Sequence, residues 1–159
     1  MSTTVKTQAQ AVNEIRNAII EFELNGDIEA TLKTSVAHSI SDIQVRDFVM
    51  GITYENHSTK LVLNFLNCVV EVATLDESVA INAVRSAYLY RLGDEKGAQL
   101  ALDKVAEINP NYSLATLLRR VMGSGWSPEA FEAMTRELHP KVVSGIEESE
   151  CELLINFDR

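Results

Sequence analysis

The chain contains 159 residues, of which 46% are hydrophobic, and it carries a formal net charge of −9 at pH 7. A chain of this length and apolar content can bury a core as one compact domain, which excludes wholesale disorder. The negative charge argues against direct binding to nucleic acid or to anionic membranes, because both favour a basic protein face.

The N-terminal part of the chain is predicted to form two helices. Residues 1–6 are expected to fray, and a first helix then extends to about residue 24. Its apolar face consists of Val12, Ile15, Ile19 and Phe22. This spacing fits either a core face or a coiled-coil seam, and a length below three heptads favours the core face. Gly26 and Asp27 predict a helix stop and a new N-cap, followed by a second helix over 28–38.

The middle of the chain is predicted to contribute one short and one long helix. Ser41 and Asp42 are the candidate caps of a short helix over 43–50, which Gly51 ends. A polar, turn-like segment separates it from a helix over 60–73. The polar stripe of that long helix consists of Lys60, Asn64, Asn67 and Glu71. Because this stripe is narrow, the helix is expected to be central in the fold.

The clearest local pattern is a pair of helices joined by a very short connection. Asp76 is the predicted N-cap of an almost wholly apolar helix over 77–92. Gly93 stands where a left-handed residue belongs, and Asp94 can cap a second, amphipathic helix over 95–108 at once. The sequence therefore predicts a closed αα-hairpin that organises the fold.

The C-terminal part is predicted to contain two helices and a tail. A helix over 112–122 has a core face that consists of Leu114, Leu117, Leu118 and Val121. Ser127-Pro128 is expected to start a short helix that ends at residue 134. Residues 141–159 form an acidic tail with an apolar end, Leu153 to Phe157. This tail is interpreted as a docked strand or helix or as a mobile segment, and mobility is favoured up to Ser149.

No segment carries a recognisable chemistry. The three histidines lie in separate segments without an i, i+4 pair or a nearby cysteine, so the sequence predicts no metal site, no cofactor and no catalytic residue. Arg46 and Trp126 are the two candidate interaction residues. Arg46 and Asp47 are adjacent on a helix and are expected to point apart, so Arg46 is expected to bridge to an acid on the N-terminal helices. Trp126 is interpreted as a lid on the core or as a recognition anchor.

The helical pair resembles one tetratricopeptide-type unit, because a helix, Gly93-Asp94, a second helix with Ala98 and then Pro110 follow in that order. There is one such unit, so a peptide-binding array is not expected. The resemblance supports an all-α fold, a compact multi-helix bundle with a central tetratricopeptide-like αα-hairpin. Residues 1–140 are predicted to form the single helical domain.

A longer resemblance covers about residues 43–138. Its segments are Val45-Arg46-Asp47, Arg91-Leu92-Gly93-Asp94, residues 98–102, residues 109–115, Leu117-Leu118, residues 123–128 and Met134-Thr135. In this order they resemble the C-terminal half of the actinobacterial "domain of unknown function 4192" family. The resemblance implies a helical fold and a bacterial or mobile-element setting, and it implies no activity.

These observations favour a small cytoplasmic protein that binds another macromolecule and has no catalytic activity. The alternative is an acidic antagonist that occupies the basic site of a nucleic-acid-binding protein, possibly of plasmid or phage origin, and an enzyme of unrecognised type is the third hypothesis. The expected partner is a protein, with no direct nucleic-acid or membrane contact. A two-fold homodimer is also expected, formed through the face that begins at Val12 and the tail residues 153–157.

Overall fold

The computed structural model describes residues 5–157, with side-chain positions for residues 5–151. Within that part of the chain it contains eight α-helices, one short 3-10 helix and no strand. The α-helices are α1 Gln8–Asn25, α2 Ala30–Ser39, α3 Ile43–Met50, α4 Thr59–Val70, α5 Leu75–Arg91, α6 Glu95–Ile108, α7 Ser113–Gly123 and α8 Pro128–Phe157. The 3-10 helix, Ile52–Glu55, lies between α3 and α4. The prediction of an all-α fold is confirmed.

Helix α5 begins earlier than predicted, because Thr74 and not Asp76 is its N-cap. The Thr74 hydroxyl accepts a hydrogen bond from the Glu77 amide at 3.2 Å, and the Glu77 carboxylate accepts one from the Thr74 amide at 3.0 Å. This capping box satisfies two amides that the helix itself leaves unpaired. A single cap at Asp76 would satisfy fewer of them.

The prediction that Asp27 caps α2 is also wrong. The N-cap of α2 is Glu29, and Asp27 accepts a hydrogen bond from the adjacent Ile28 amide at 2.9 Å. Gly26 does adopt the predicted left-handed conformation, with φ of 74°. Of the two candidate caps of α3, Ser41 and Asp42, the structure shows Asp42, whose carboxylate accepts from two backbone amides.

The hairpin of α5 and α6 forms as the sequence predicts. Gly93 has φ of 83°, and the Asp94 carboxylate accepts from the Gly97 amide at 2.8 Å at the start of α6. At the crossing, Ala98 is fully buried. Its carbonyl accepts a hydrogen bond from the buried Ser86 hydroxyl at 3.0 Å. Backbone and side chains therefore close this helix pair without a gap at the crossing.

Helix α5 lies between two apolar clusters and contributes to both. The first cluster contains side chains of α1 to α5 and Ile146 of α8. The second contains the opposite side of α5, together with α6, α7 and the beginning of α8. Tyr88 of α5 is fully buried in the first cluster, and its hydroxyl donates to the Val49 carbonyl at 2.6 Å. Burial raises the pKa of Tyr88 to about 12.

The apolar face of α1 packs into the first cluster. Val12, Ile15 and Ile19 are buried there, and Phe22 contacts the Phe65 ring edge to face, with the ring centroids 5.7 Å apart. The core-face interpretation of this helix is therefore confirmed. The same observation makes this face unavailable to a second copy of the chain.

Helix α8 is much longer than the predicted helix that ends at residue 134. It continues through Pro140 to Phe157. Pro140 is exposed, so water can satisfy the carbonyl that loses its amide donor. Of the alternatives for residues 141–149, the structure shows a helix, and Ile146 is buried against the first cluster. The side chains of residues 153–157 lie outside the described ones, and the division at residue 140 stays a prediction.

Within the described part of the chain, no helix combines the length and the hydropathy that a bilayer crossing requires.

Candidate functional site

An apolar groove lies between α3, α7 and α8. Its volume is about 560 Å³, and it is lined by residues of 43–51 on α3 and its C-terminal end, 114–121 on α7 and 131–145 on α8. Leu118, Phe131 and Gly51 are buried at its base. The size and the mostly apolar lining match sites that bind ligands or peptide side chains.

Three large apolar side chains remain exposed in the lining of the groove. Ile43 of α3 is 63% exposed, Leu117 of α7 is 53% exposed and Leu138 of α8 is 45% exposed. Scattered exposed leucines are ordinary on protein surfaces, but three around one concavity form a patch. This patch is the feature that most suggests binding in the described part of the molecule.

The groove exists because α7 and α8 pack on different helices. Helix α7 packs mainly on α5 and α6, whereas α8 packs mainly on α1, α3 and α5. Leu114, Leu118 and Val121 are buried by this packing of α7. Leu117, which the sequence analysis placed on the same core face, is exposed in the gap instead. That prediction is wrong, because the neighbour that would have covered Leu117 lies elsewhere.

At the base of the groove, the ring of His139 lies directly against Gly51. A Cβ atom at position 51 would come within 2.8 Å of the His139 Cγ atom. Real Cβ atoms do not approach other atoms so closely, so a side chain at this position would displace α8 from α3. Gly51 is therefore required here for close approach and not for an unusual backbone conformation, since its φ is −110°.

A polar cluster under the groove holds His139 in place. The Glu55 carboxylate accepts from Arg16 Nε at 2.8 Å and from His139 Nε2 at 2.8 Å. Burial alone would raise the pKa of Glu55, but the hydrogen bonds from Arg16 and His139 outweigh it, and the pKa of this carboxyl is lowered from its ordinary value. Glu55 thereby joins α1, the 3-10 helix and α8.

A carboxylate and an imidazole in contact can serve as a general-base pair, in which the other ring nitrogen takes the proton. His139 Nδ1 is buried and has no hydrogen-bond partner among the described residues. It faces Gly51 and exposes no surface to the groove. In this arrangement the pair links the 3-10 helix to α8.

Arg46 lines the groove but makes other contacts than the sequence analysis expected. Its Nε and Nη2 atoms donate to Asp47 Oδ1 at 3.0 Å and 2.8 Å, and Nη1 donates to the Tyr112 hydroxyl at 3.0 Å. The expected separation from Asp47 and the expected bridge to the N-terminal helices are both wrong. The long arginine side chain turns along its own helix towards its neighbour, while its far end reaches the residue before α7.

These contacts leave Arg46 almost completely buried. Burial alone would lower the pKa of Arg46, but hydrogen bonds to Tyr112 and Asp47 outweigh it and raise that pKa. The guanidinium also lies over the Tyr112 ring, 5.7 Å from its centroid. Arg46 thus connects α3 to the junction of α6 and α7 at one end of the groove.

Trp126, the second candidate interaction residue, lies just before α8 and is not part of the groove lining. Its side chain is 41% exposed. Its backbone carbonyl accepts a hydrogen bond from the Tyr90 hydroxyl. The structure therefore does not bring Trp126 and Arg46 together in one site, and an interaction role for either residue stays a prediction.

Sequence reasoning missed the residues of α8 that line the groove. Phe131, Met134, Leu138 and Val142 recur at spacings of three and four, which is the pattern of one helical face. The prediction that this helix ends at residue 134 concealed this pattern. Among the described residues, no group of three histidine, cysteine, aspartate or glutamate side chains is placed to hold a metal ion.

A family model described as a domain of unknown function (DUF4192) matches residues 2–129. The match covers more than half of the chain and includes the two N-terminal helices, which the resemblance over 43–138 left out. The α3 and α7 walls of the groove lie inside the match, and the α8 wall follows it. No curated protein and no solved structure matches the chain. By this match, the chain belongs to the DUF4192 family of domains of unknown function.

Proposed function

We propose that this protein is a non-catalytic interaction module whose groove between α3, α7 and α8 binds an apolar helical segment of a partner protein. The observation that carries the proposal is the exposure of Ile43, Leu117 and Leu138 around a single concavity. Grooves of this kind bind amphipathic helices, whose apolar residues recur once per turn on one face.

The area that the three side chains leave exposed limits the strength of such a contact. Complete burial of a leucine or isoleucine side chain contributes about 1.5–3 kcal/mol, and the three exposed side chains are each about half buried already. Their remaining exposed area corresponds to only a few kcal/mol, before the costs of association are subtracted. The groove is therefore suited to a reversible contact, with the three side chains acting as its central anchors.

The proposed setting is the cytoplasm, as the sequence analysis expects. A homodimer also remains a proposal, but the α1 face cannot contribute to it because that face is buried within the chain. The groove is then an apolar surface that a second copy could use.

The test is quantitative affinity capture from native host cells with three forms of the protein. These are the unmodified chain, Leu117→Glu, and the control Leu100→Glu on α6, a helix that does not line the groove. Leu100 is 56% exposed, which matches the exposure of Leu117. A glutamate in the groove should abolish the capture of partner proteins that bind there, whereas a glutamate at position 100 should leave their capture unchanged.

Partners recovered in this way are then purified and titrated against the three forms by calorimetry. The proposal predicts direct binding that Leu117→Glu weakens at least ten-fold. Equal capture by all three forms, or equal losses with both variants, would show that the groove is not the binding site.

A further inference from the structure

The charged groups that line the groove differ in sign from the molecule as a whole. The lining contains two cationic side chains, Arg46 and Lys141, and one carboxylate, Asp47. The chain has a net charge of −9. The charged side chains of the lining therefore sum to one positive charge, on a protein that is acidic as a whole.

Only one of these cations is free to meet a ligand. Arg46 is buried and donates two hydrogen bonds to Asp47, so these two charges largely neutralise each other. Lys141 is exposed and forms no ion pair with any described residue. Glu137, one turn earlier on α8, is also exposed, but it does not line the groove.

Leu138 and Lys141 lie three residues apart on α8 and thus on the same helical face. A ligand helix that covers Leu138 must therefore pass close to the Lys141 ammonium group. A lysine on that helix would be repelled by the ammonium group, and a glutamate would be attracted to it.

We infer that the partner segment is an acidic amphipathic helix, with one or more carboxylates beside the apolar residues that enter the groove. This inference rests on the proposed function and adds the charge of the partner to it. The overall charge of the protein would favour basic partners at long range, so an acidic preference can come only from the groove itself. A preference for acidic residues among the selected helices would therefore reflect the charge in the groove and not the net charge of the protein.

The experiment uses a yeast-displayed library of helices of about four turns. Leucine or phenylalanine is fixed at positions i, i+3, i+4 and i+7, and the flanking positions are randomised among Glu, Gln and Lys. Clones are selected for binding to the full chain and then screened against Leu117→Glu, so that only ligands that need the groove remain. Enrichment of Glu over Lys at the flanking positions is the expected result.

The role of Lys141 is then measured with the selected helices as synthetic peptides. Lys141→Glu should weaken their binding about two- to five-fold, the range expected for an exposed ion pair, with a larger effect at low salt. A peptide with Glu replaced by Lys should bind Lys141→Glu more tightly than the unmodified chain. Lys104→Glu, at an exposed position on α6 outside the groove, should change neither affinity.

Other results would contradict either the acidic partner or the groove as the binding site. Groove-dependent helices that favour Lys, or that show no preference, would overturn the acidic partner and leave the interaction module intact. An absence of groove-dependent helices would contradict the site itself. Light scattering that shows a dimer of the full chain, converted to monomer by Leu117→Glu, would make a second copy the occupant and overturn the inference.

Discussion

The α5–α6 hairpin and the groove between α3, α7 and α8 use apolar side chains in opposite ways. In the hairpin, three residues connect the two helices, and Ala98 and its neighbours are buried at the crossing. In the groove, Ile43, Leu117 and Leu138 line the same concavity and remain exposed. The hairpin buries its apolar surface within the chain, whereas the groove leaves part of its apolar surface exposed to solvent.

The difference teaches that the apolar content of a helix does not predict whether its surface is buried. Helix α5 is enclosed because partners lie on both of its sides. Helix α7 is covered mainly where it meets α5 and α6, with Phe131 of α8 packed against the same cluster. Substitutions should therefore cost stability in the hairpin and at the base of the groove, and should cost little on the rim of the groove.

The largest effect is expected from Ala98→Phe in the hairpin. Ala98 is fully buried at the crossing, so a phenyl ring would overpack it and destabilise the fold by about 1–3 kcal/mol or more. Urea unfolding followed by circular dichroism measures this change. Ala106→Phe, at an exposed position on the same helix, is the control and should cost much less. Equal urea midpoints for the two variants would mean that the helices α5 and α6 are not closely packed at Ala98.

The next effect is expected from Gly51→Ala at the base of the groove. The added methyl group would collide with the buried His139 ring, which Glu55 holds in place, and the expected cost is about 1–3 kcal/mol. Gly123→Ala on α7 is the control, because a Cβ atom there has no neighbour within 4 Å. Thermal unfolding compares the two variants. Similar melting temperatures would show that α3 and α8 tolerate separation.

Glu55→Gln should have a smaller cost at neutral pH, about 1–2 kcal/mol, since hydrogen bonds to charged partners are lost or weakened. The folded state lowers the pKa of Glu55, so its contribution is complete above the ordinary value of 4.5 and is lost as the pH falls through the lowered value. Unfolding measured from pH 7 to pH 3 should show a shallower acid loss in the variant. A parallel pH dependence would exclude Glu55 as a source of the acid sensitivity.

The smallest effect is expected on the rim of the groove. Leu117→Glu and Leu138→Glu replace exposed side chains, so each should change the free energy of unfolding by no more than about 0.5 kcal/mol. Chemical unfolding of both variants tests this, and the result also validates the binding experiments that use Leu117→Glu. A loss above about 1.5 kcal/mol would mean that the groove is closed by packing in solution.

Local signals in the sequence predicted much of the fold. Gly93 and Asp94 predicted the turn between α5 and α6, and the apolar period of α1 predicted its core face. These features depend on interactions within a few residues, such as a carboxylate and the amide three positions later. The cap at Asp76 was wrong because Thr74 forms a capping box with Glu77 instead. The cap at Asp27 was wrong because Asp27 accepts from the Ile28 amide, and α2 begins after Glu29 without a side-chain cap.

The candidate site could not be predicted in the same way. Its walls come from α3, α7 and α8, and α3 is far from the other two helices in the sequence. Which residues are exposed in the groove depends on which side of each helix is covered by a neighbour that is distant in the sequence. Leu117 and Leu118 are adjacent and chemically identical, yet one is exposed and the other is buried. The predicted end of the last helix at residue 134 was a second error, because α8 continues past that residue and through the exposed Pro140.

The sequence by itself determined an all-α protein, the hairpin of α5 and α6 and an acidic surface charge, since helical period, capping and charge are local or additive properties. The tertiary structure alone decided that α8 passes Pro140, that Arg46 pairs with Asp47 and Tyr112, and that Glu55 and His139 meet beneath a groove. These outcomes depend on contacts between distant segments, where burial selects one arrangement among several that the local sequence permits.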